Sequence, residues 1–417
     1  MTSKRAYAVA ALALSASLPL SACSQAGSAE GEAKPRASTP AYTQPAYEVT
    51  HEQLRAVAVV GARLIETSPS VTTKDDAVMV GFCDDSYNGA KGRSWFATDE
   101  VSEPSEGLPA ELAGNESTQI GWTFTATTLL DESPSAAHLV DERIREWSTC
   151  QPKDDTPLTT QKVTVAGAAA SVVRTQEVRG VSAWNAHAAS GVARVENALV
   201  SCTINARTAK LALAMTTSCL TEMAQAVPFA AGRDVALTKA NRVVAAKMLL
   251  ARAAAKSQTV TVRTTGATTP CETSKSTFLP AGSAFALLET VPPEVDDPAK
   301  AEFPQILGVL MSERVADVAA ARAKVAAARK TFGGCKGSFT RGAEPYVSTG
   351  KITGVARSPV GDGGFTITST SLFPGQKKPE VVNEYIFSVG AYVVEMTGTS
   401  PRSAQAIAAQ LKVVAGS

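Results

Sequence analysis

Residues 49–66 read VTHEQLRAVAVVGARLIE, with apolar side chains at the three-and-four spacing of a helix and Thr50 followed three residues later by Gln53. That pattern predicts a helix opened by a reciprocal cap, each side chain satisfying the other's backbone N–H. Thr238 opens a second stretch of the same kind. Further helical stripes run through Leu139, Val140, Ile144 and Trp147, and through Met311, Val315, Val318, Val325 and Phe332, the latter stopped by Gly333 and Gly334. Alanine-rich helices are expected over residues 209–227 and 401–414. Between these the period drops to two, over residues 162–165, 169–174 and 191–205, and again over 346–356, 364–370 and 384–398, which predicts strands and hairpins.

Helix, strands, helix, hairpins, helix thus occurs twice. The expected fold is α+β, with two tandem duplicated domains at residues 47–228 and 235–417, each an antiparallel sheet with helices packed on one side and stapled by disulfides. Cysteine spacing supports the repeat. Thr50 stands 33 residues before Cys83 and Thr238 stands 33 before Cys271; Cys83 to Cys150 is 67 residues and Cys271 to Cys335 is 64. Trp147 and Phe332 lie three positions before the second cysteine of each pair.

In an exported chain these spacings predict equivalent bridges Cys83–Cys150 and Cys271–Cys335, leaving Cys202 to pair with Cys219. Each long bridge is worth roughly 4 kcal/mol in the chain-entropy account. The second half has Glu395 near the place of Cys202 and lacks the third staple.

Export is expected from the first residues. Lys4 and Arg5 precede an apolar run over residues 6–19, closed by Leu20-Ser21-Ala22-Cys23. This resembles a bacterial lipoprotein signal peptide, residues 1–23, and the resemblance implies cleavage before Cys23 and a diacylglycerol on its thiol. Residues 24–46 are rich in Ser, Ala, Gly and Pro and read as a flexible linker. With no other run near the 18 or so apolar residues of a membrane span, the chain is expected to be anchored by lipid to the outer face of the cytoplasmic membrane.

Composition narrows the function. The 417 residues are 44% hydrophobic, with 40 Lys plus Arg against 39 Asp plus Glu, which excludes collagen-like and largely disordered chains and makes no case for nucleic acid. Near-neutrality conceals a split: residues 47–232 carry a net −9 and residues 233–417 a net +8. Either the halves dock, or the basic half meets an anionic wall polymer while the acidic half stays off the anionic membrane, with simple compositional drift between the halves as the alternative.

Only His51, His138 and His187 occur, without metal-ligand or triad spacing, so neither a metal, a cofactor nor an enzymatic activity is expected. Ser348-Thr-Gly-Lys351 fits a Ser-x-x-Lys pattern but falls in an expected strand, and the turn from Asp84 to Gly89 lacks the bidentate Glu of a calcium loop, with Trp95 in its place. The acidic stretch 99–116 reads as a solvated loop. Trp147 is a core residue by its helix position; Trp95, Trp122 and Trp184 are candidates for a ligand cleft or partner surface, with core packing as the alternative.

The aromatic-x-x-Cys helix end at Trp147–Cys150, the strand Asn197-Ala-Leu-Val-Ser-Cys202 and the later Cys219 together resemble the extracellular sensor domain of actinobacterial PknH-type Ser/Thr kinases and related sensor-domain lipoproteins. The resemblance implies a disulfide-stapled α+β domain with a cleft for an envelope ligand. This chain departs from it by having neither a membrane span nor a kinase domain, so signalling would pass through a protein partner. The expected function is a lipid-anchored, extracytoplasmic ligand-binding or accessory sensor lipoprotein, with a carrier of an apolar envelope lipid as alternative and a cell-wall hydrolase disfavoured.

Overall fold

Thr50 and Thr238 open their helices alike in the computed structural model of the chain. Thr50 N–H donates to Gln53 Oε1 at 2.8 Å and Gln53 N–H returns to Thr50 Oγ1 at 3.4 Å. Thr238 N–H donates to Asn241 Oδ1 at 2.6 Å and Asn241 N–H returns to Thr238 Oγ1 at 3.2 Å. The residues described are 45–61, 70–75, 92–100, 120–130, 138, 140–142, 144–145, 158–161, 163–178, 186–253, 258–265, 278–279, 283–290, 306–341, 348–372, 375–397 and 400–416.

The first cap begins α1 (His51–Gly61), followed by β1 (Ser70–Asp75), β2 (Gly92–Glu100), β3 (Ile120–Leu130), β4 (Leu158–Gln161), β5 (Ala170–Glu177), β6 (His187–Val195), β7 (Ala198–Ala206) and α2 (Ala209–Ala230). The second begins α3 (Lys239–Ala253), followed by β8 (Gln258–Thr265), β9 (Ser283–Thr290), β10 (Ile306–Arg314), α4 (Val318–Phe332), β11 (Gly337–Arg341), β12 (Ser348–Ser358), β13 (Gly364–Leu372), β14 (Glu380–Val389), β15 (Tyr392–Thr397) and α5 (Pro401–Gly416). Two antiparallel sheets result, ordered β1-β2-β3-β7-β6-β5-β4 and β8-β9-β10-β15-β14-β13-β12-β11. Apart from the extra edge strand β11, the second order repeats the first.

Helices cover both faces of the sheets, which corrects the expectation of helices on one side. In the first sheet, α1 and α2 lie on one face: Thr125 Oγ1 donates to Ala58 O at 2.9 Å, Thr127 Oγ1 to Leu54 O at 3.1 Å, and Thr216 Oγ1 to Ala189 O at 3.1 Å. Arg194 leaves the other face and holds Asp141, in the helical residues 140–142, through bonds of 2.6 and 2.8 Å. In the second sheet, α3 and α5 pack on the face bearing Tyr385, Phe387, Val394 and Met396, and α4 on the face bearing Phe365, Ile386 and Val393. Strands buried on both faces read as apolar runs rather than alternation, as in Tyr385-Ile386-Phe387.

Other expectations shift for local reasons. Met311 belongs to β10, not to a helix, because pairing with β9 and β15 sends Leu310 and Met311 to opposite buried faces. The helix starts only after Asp317, whose side chain accepts Ala320 N–H at 2.7 Å. Residues 163–169 form the turn after β4, with Val165 O accepting Ala168 N–H at 3.1 Å, so the strand expected at 162–165 lies earlier, at Leu158–Gln161. Phe332 ends α4 with Gly333 as its C-cap.

Residues 42–417 form one compact unit. Its principal core joins side chains from both sheets, including Ile204 of β7 and Phe387 of β14, through Val57 of α1, Met223 of α2, Met248 of α3 and Leu411 of α5. A smaller core under α4 gathers Phe278, Met311, Phe332, Phe365 and Ile386. Close approach of α2 to its sheet depends on Gly191, where a Cβ would stand 2.5 Å from Leu220 Cδ1 and 2.8 Å from Val173 Cγ2. No described helix is long and apolar enough to cross a membrane.

Candidate functional site

β10 ends at Arg314, directly across from Tyr392 at the start of β15. The pairing sets the guanidinium 5.2 Å from the Tyr392 ring centroid. Arg314 Nη1 donates to the carbonyls of Val315, Ala316 and Ala391, so it braces the β14–β15 turn. Arg252 approaches from the last turn of α3, where its charge also complements the helix C-terminus.

These side chains line a pocket of about 290 Å³. Residues 232–235 and 237 close one side, the Gly390-Ala391 turn another, and Met248, Leu249 and Val414 supply apolar wall. Arg233 at the rim lies 5.8 Å over the ring of Tyr47, which ties it to the segment before α1.

The electrostatics follow from burial among cations. Burial pushes the Tyr392 hydroxyl above its ordinary range, opposed by Arg314 and Arg252. Burial lowers Arg252, opposed by Tyr392. Tyr47 is pushed up to about 12 by burial and by Glu196, with Arg233 opposing. Among the described residues Arg314 has no carboxylate partner. A pocket with three guanidinium groups against the single carboxylate of Asp234, a neutral phenol and an apolar wall keeps a net positive lining that can hold a small molecule and orient it by charge.

The residues expected from the sequence lie elsewhere. Trp95 is buried in the core, stacked on His51 with centroids 4.8 Å apart and its Nε1–H donated to His51 O at 2.8 Å, so it does not line this pocket. Trp122 is on β3, with its side chain outside the described residues, as are Trp184, Cys23, Cys83, Cys150 and Cys271. The Asp84 turn also lies outside them.

Cys202 and Cys219 form a disulfide with Cα atoms 6.4 Å apart, pinning α2 to β7. Cys335 is disulfide-bonded to a partner outside the described residues. Ser348 and Lys351 are on β12, in the strand expected for them. Glu384 and Glu395 are buried on the α4 face of the second sheet, and among the described residues no three His, Cys, Asp or Glu side chains gather to hold a metal ion.

Reading the sequence did not identify Arg252, Arg314 or Tyr392, which come from separate segments. The available signal was in the turns: Glu196-Asn197 in the first half stands where Gly390-Ala391 stands in the second.

Comparison of the chain with protein-family models, with curated proteins and with solved structures finds no match.

Proposed function

We propose that this chain is a lipid-anchored, extracytoplasmic binding protein of the cell envelope, built from two duplicated α+β domains and acting without covalent chemistry as a ligand-binding or accessory sensor lipoprotein. The observation that carries the reading is the pocket of about 290 Å³ lined by Arg252, Arg314 and Tyr392. It combines a few convergent polar groups with an apolar wall, the usual composition of a small-molecule site. Duplication is supported by the repeated strand order and the matching reciprocal caps at Thr50 and Thr238. Placement outside the cell and anchoring at Cys23 rest on the lipoprotein-like first 23 residues, and the Cys202–Cys219 bond suits an oxidising compartment. Signalling, on the resemblance to PknH-type sensor domains, passes through a protein partner.

The size and charge of the pocket favour a small polar ligand over the acyl chains of a carried lipid, which need a larger dry cavity. Native mass spectrometry of the chain secreted from an actinobacterial host with Cys23→Ser, compared with the same sample denatured, tests this. A mass lost only on denaturation supports a binding protein and identifies its cargo; a bare polypeptide that also binds no added small molecule sinks it.

A further inference from the structure

The β6–β7 and β14–β15 turns occupy matching places in their sheets. In each the first turn residue is left-handed, Glu196 at φ +52° and Gly390 at φ +53°. In each the second residue's carbonyl accepts an N–H from just beyond or at the end of the neighbouring strand, Asn197 from Leu130 at 2.9 Å and Ala391 from Val315 at 3.0 Å. The turns differ in how they meet the segment preceding the opening helix.

In the first half that segment is strapped down. Glu196 Oε2 accepts Ala46 N–H at 2.7 Å, while Val49 N–H donates to Asn197 Oδ1 and Asn197 Nδ2 donates to Val49 O, both at 3.0 Å. A glutamate carries a left-handed backbone at some cost, which the strap offsets. Counting back equally from Thr50 and Thr238, Ala46 corresponds to Asp234 and Val49 to Leu237. They face Gly390 and Ala391, neither of which has a polar side chain to form a strap. The space left open is the pocket.

The cation is also peculiar to this half. Arg314 pairs with Tyr392 across the sheet where the first half pairs Leu129 with Ala198. A half-buried guanidinium whose described partners are carbonyls and an aromatic ring retains charge for an anion to neutralise.

We infer that the pocket bounded by Asp234, Val235, Leu237, Arg314 and the Gly390-Ala391 turn binds a small organic anion, a carboxylate or phosphate head on an apolar body, with Arg314 as its charge partner. This rests on the binding-protein reading and adds the ligand class. Arg252 supplies a second positive group and Met248, Leu249 and Val414 the apolar contact. At about 290 Å³ the site admits a head and a ring-sized body. The same head group could belong to a free metabolite or to a membrane lipid.

Calorimetry on the mature-length chain with phenyl phosphate, benzoate, short-chain phosphatidylglycerol and neutral benzyl alcohol tests the inference, alongside two variants. Arg314→Gln should weaken anion binding at least tenfold. Because Arg314 also braces the turn, the second variant, Gly390→Glu with Ala391→Asn, rebuilds the first-half strap; a Cβ at Gly390 meets Ala415 Cβ at an ordinary 3.6 Å, and the left-handed backbone is the one that Glu196 already carries in the first half. It should keep a cooperative melt and abolish binding. Tighter phosphatidylglycerol than phenyl phosphate assigns the head to a lipid, and the reverse assigns it to a free anion. Benzyl alcohol binding as well as benzoate, or Arg314→Gln binding anions unchanged, overturns the anion class while the binding-protein reading stands. No binding of any probe, with no copurified ligand, overturns both.

Discussion

Lys247 on α3 donates to Glu222 on α2 at 2.7 Å, with the lysine side chain only 5% exposed and the glutamate 22%. The pair joins a helix of the basic half to one of the acidic half, beside the core that both share. Desolvation makes such a pair a weak source of net stability but an expensive one to break singly. Glu222→Leu, which takes the carboxylate from the buried Lys247 ammonium, should lower stability in urea denaturation by about 3 kcal/mol, whereas Lys247→Met with Glu222→Leu should recover part of the loss. Equal losses in the single and double variants would show that the charges are solvated independently.

The Cys202–Cys219 bond closes a separation of 17 residues. Replacing both cysteines by alanine should cost about 3 kcal/mol in the chain-entropy account while leaving the far-ultraviolet circular dichroism unchanged. The second half manages without the bond. Leu411 stands as far after its cap Ser400 as Cys219 stands after Thr208, and Met396, one register step from Glu395, stands where Cys202 does. Both are buried in the principal core. Glu395, expected near that place, points to the opposite face because side chains alternate along a strand.

Asp362 accepts Gly390 N–H at 2.9 Å and pairs with Lys412 Nζ at 2.7 Å. The hydrogen bond from Lys412 is the largest influence holding its carboxyl below the usual range, with Gly390 N–H adding to it and burial opposing. A carboxyl lowered on folding contributes stability that is complete above its unfolded value, near 3.9, and fades as pH falls through the lower folded value. Asp362→Asn keeps an oxygen for Gly390 N–H but removes the charge, so it should destabilise by at most about 1 kcal/mol at pH 7, a loss kept small because Lys412 is largely exposed. The gap between variant and parent melting temperatures should hold from pH 5 to 8 and close below about pH 4. A gap unchanged at pH 2.5 would refute the assignment.

Thr50→Ala and Thr238→Ala each remove a reciprocal cap, and each should cost about 1 kcal/mol. The caps share no partner, so the double variant should lose the sum in chemical denaturation. A loss confined to one of them would mean that only one helix start is needed in the shared core.

Local chemistry determined what the sequence could announce. The caps at Thr50 and Thr238, the stop after Phe332 and the hairpins from residue 187 to 206 and from 380 to 397 depend on neighbours within a turn or a hairpin, whereas the Cys202–Cys219 pairing follows by elimination from the cysteine spacings. Tertiary structure decided the rest. Whether Met311 joins a helix or a strand depends on β9 and β15, and which face of a sheet a helix covers is invisible where both faces are apolar. Arg252, Arg314 and Tyr392 become neighbours only because the strand order sets β10 beside β15 and packs α3 against that sheet. Periodicity reports that a face is buried, whereas its partner is chosen by strand pairing and packing between residues far apart in the chain.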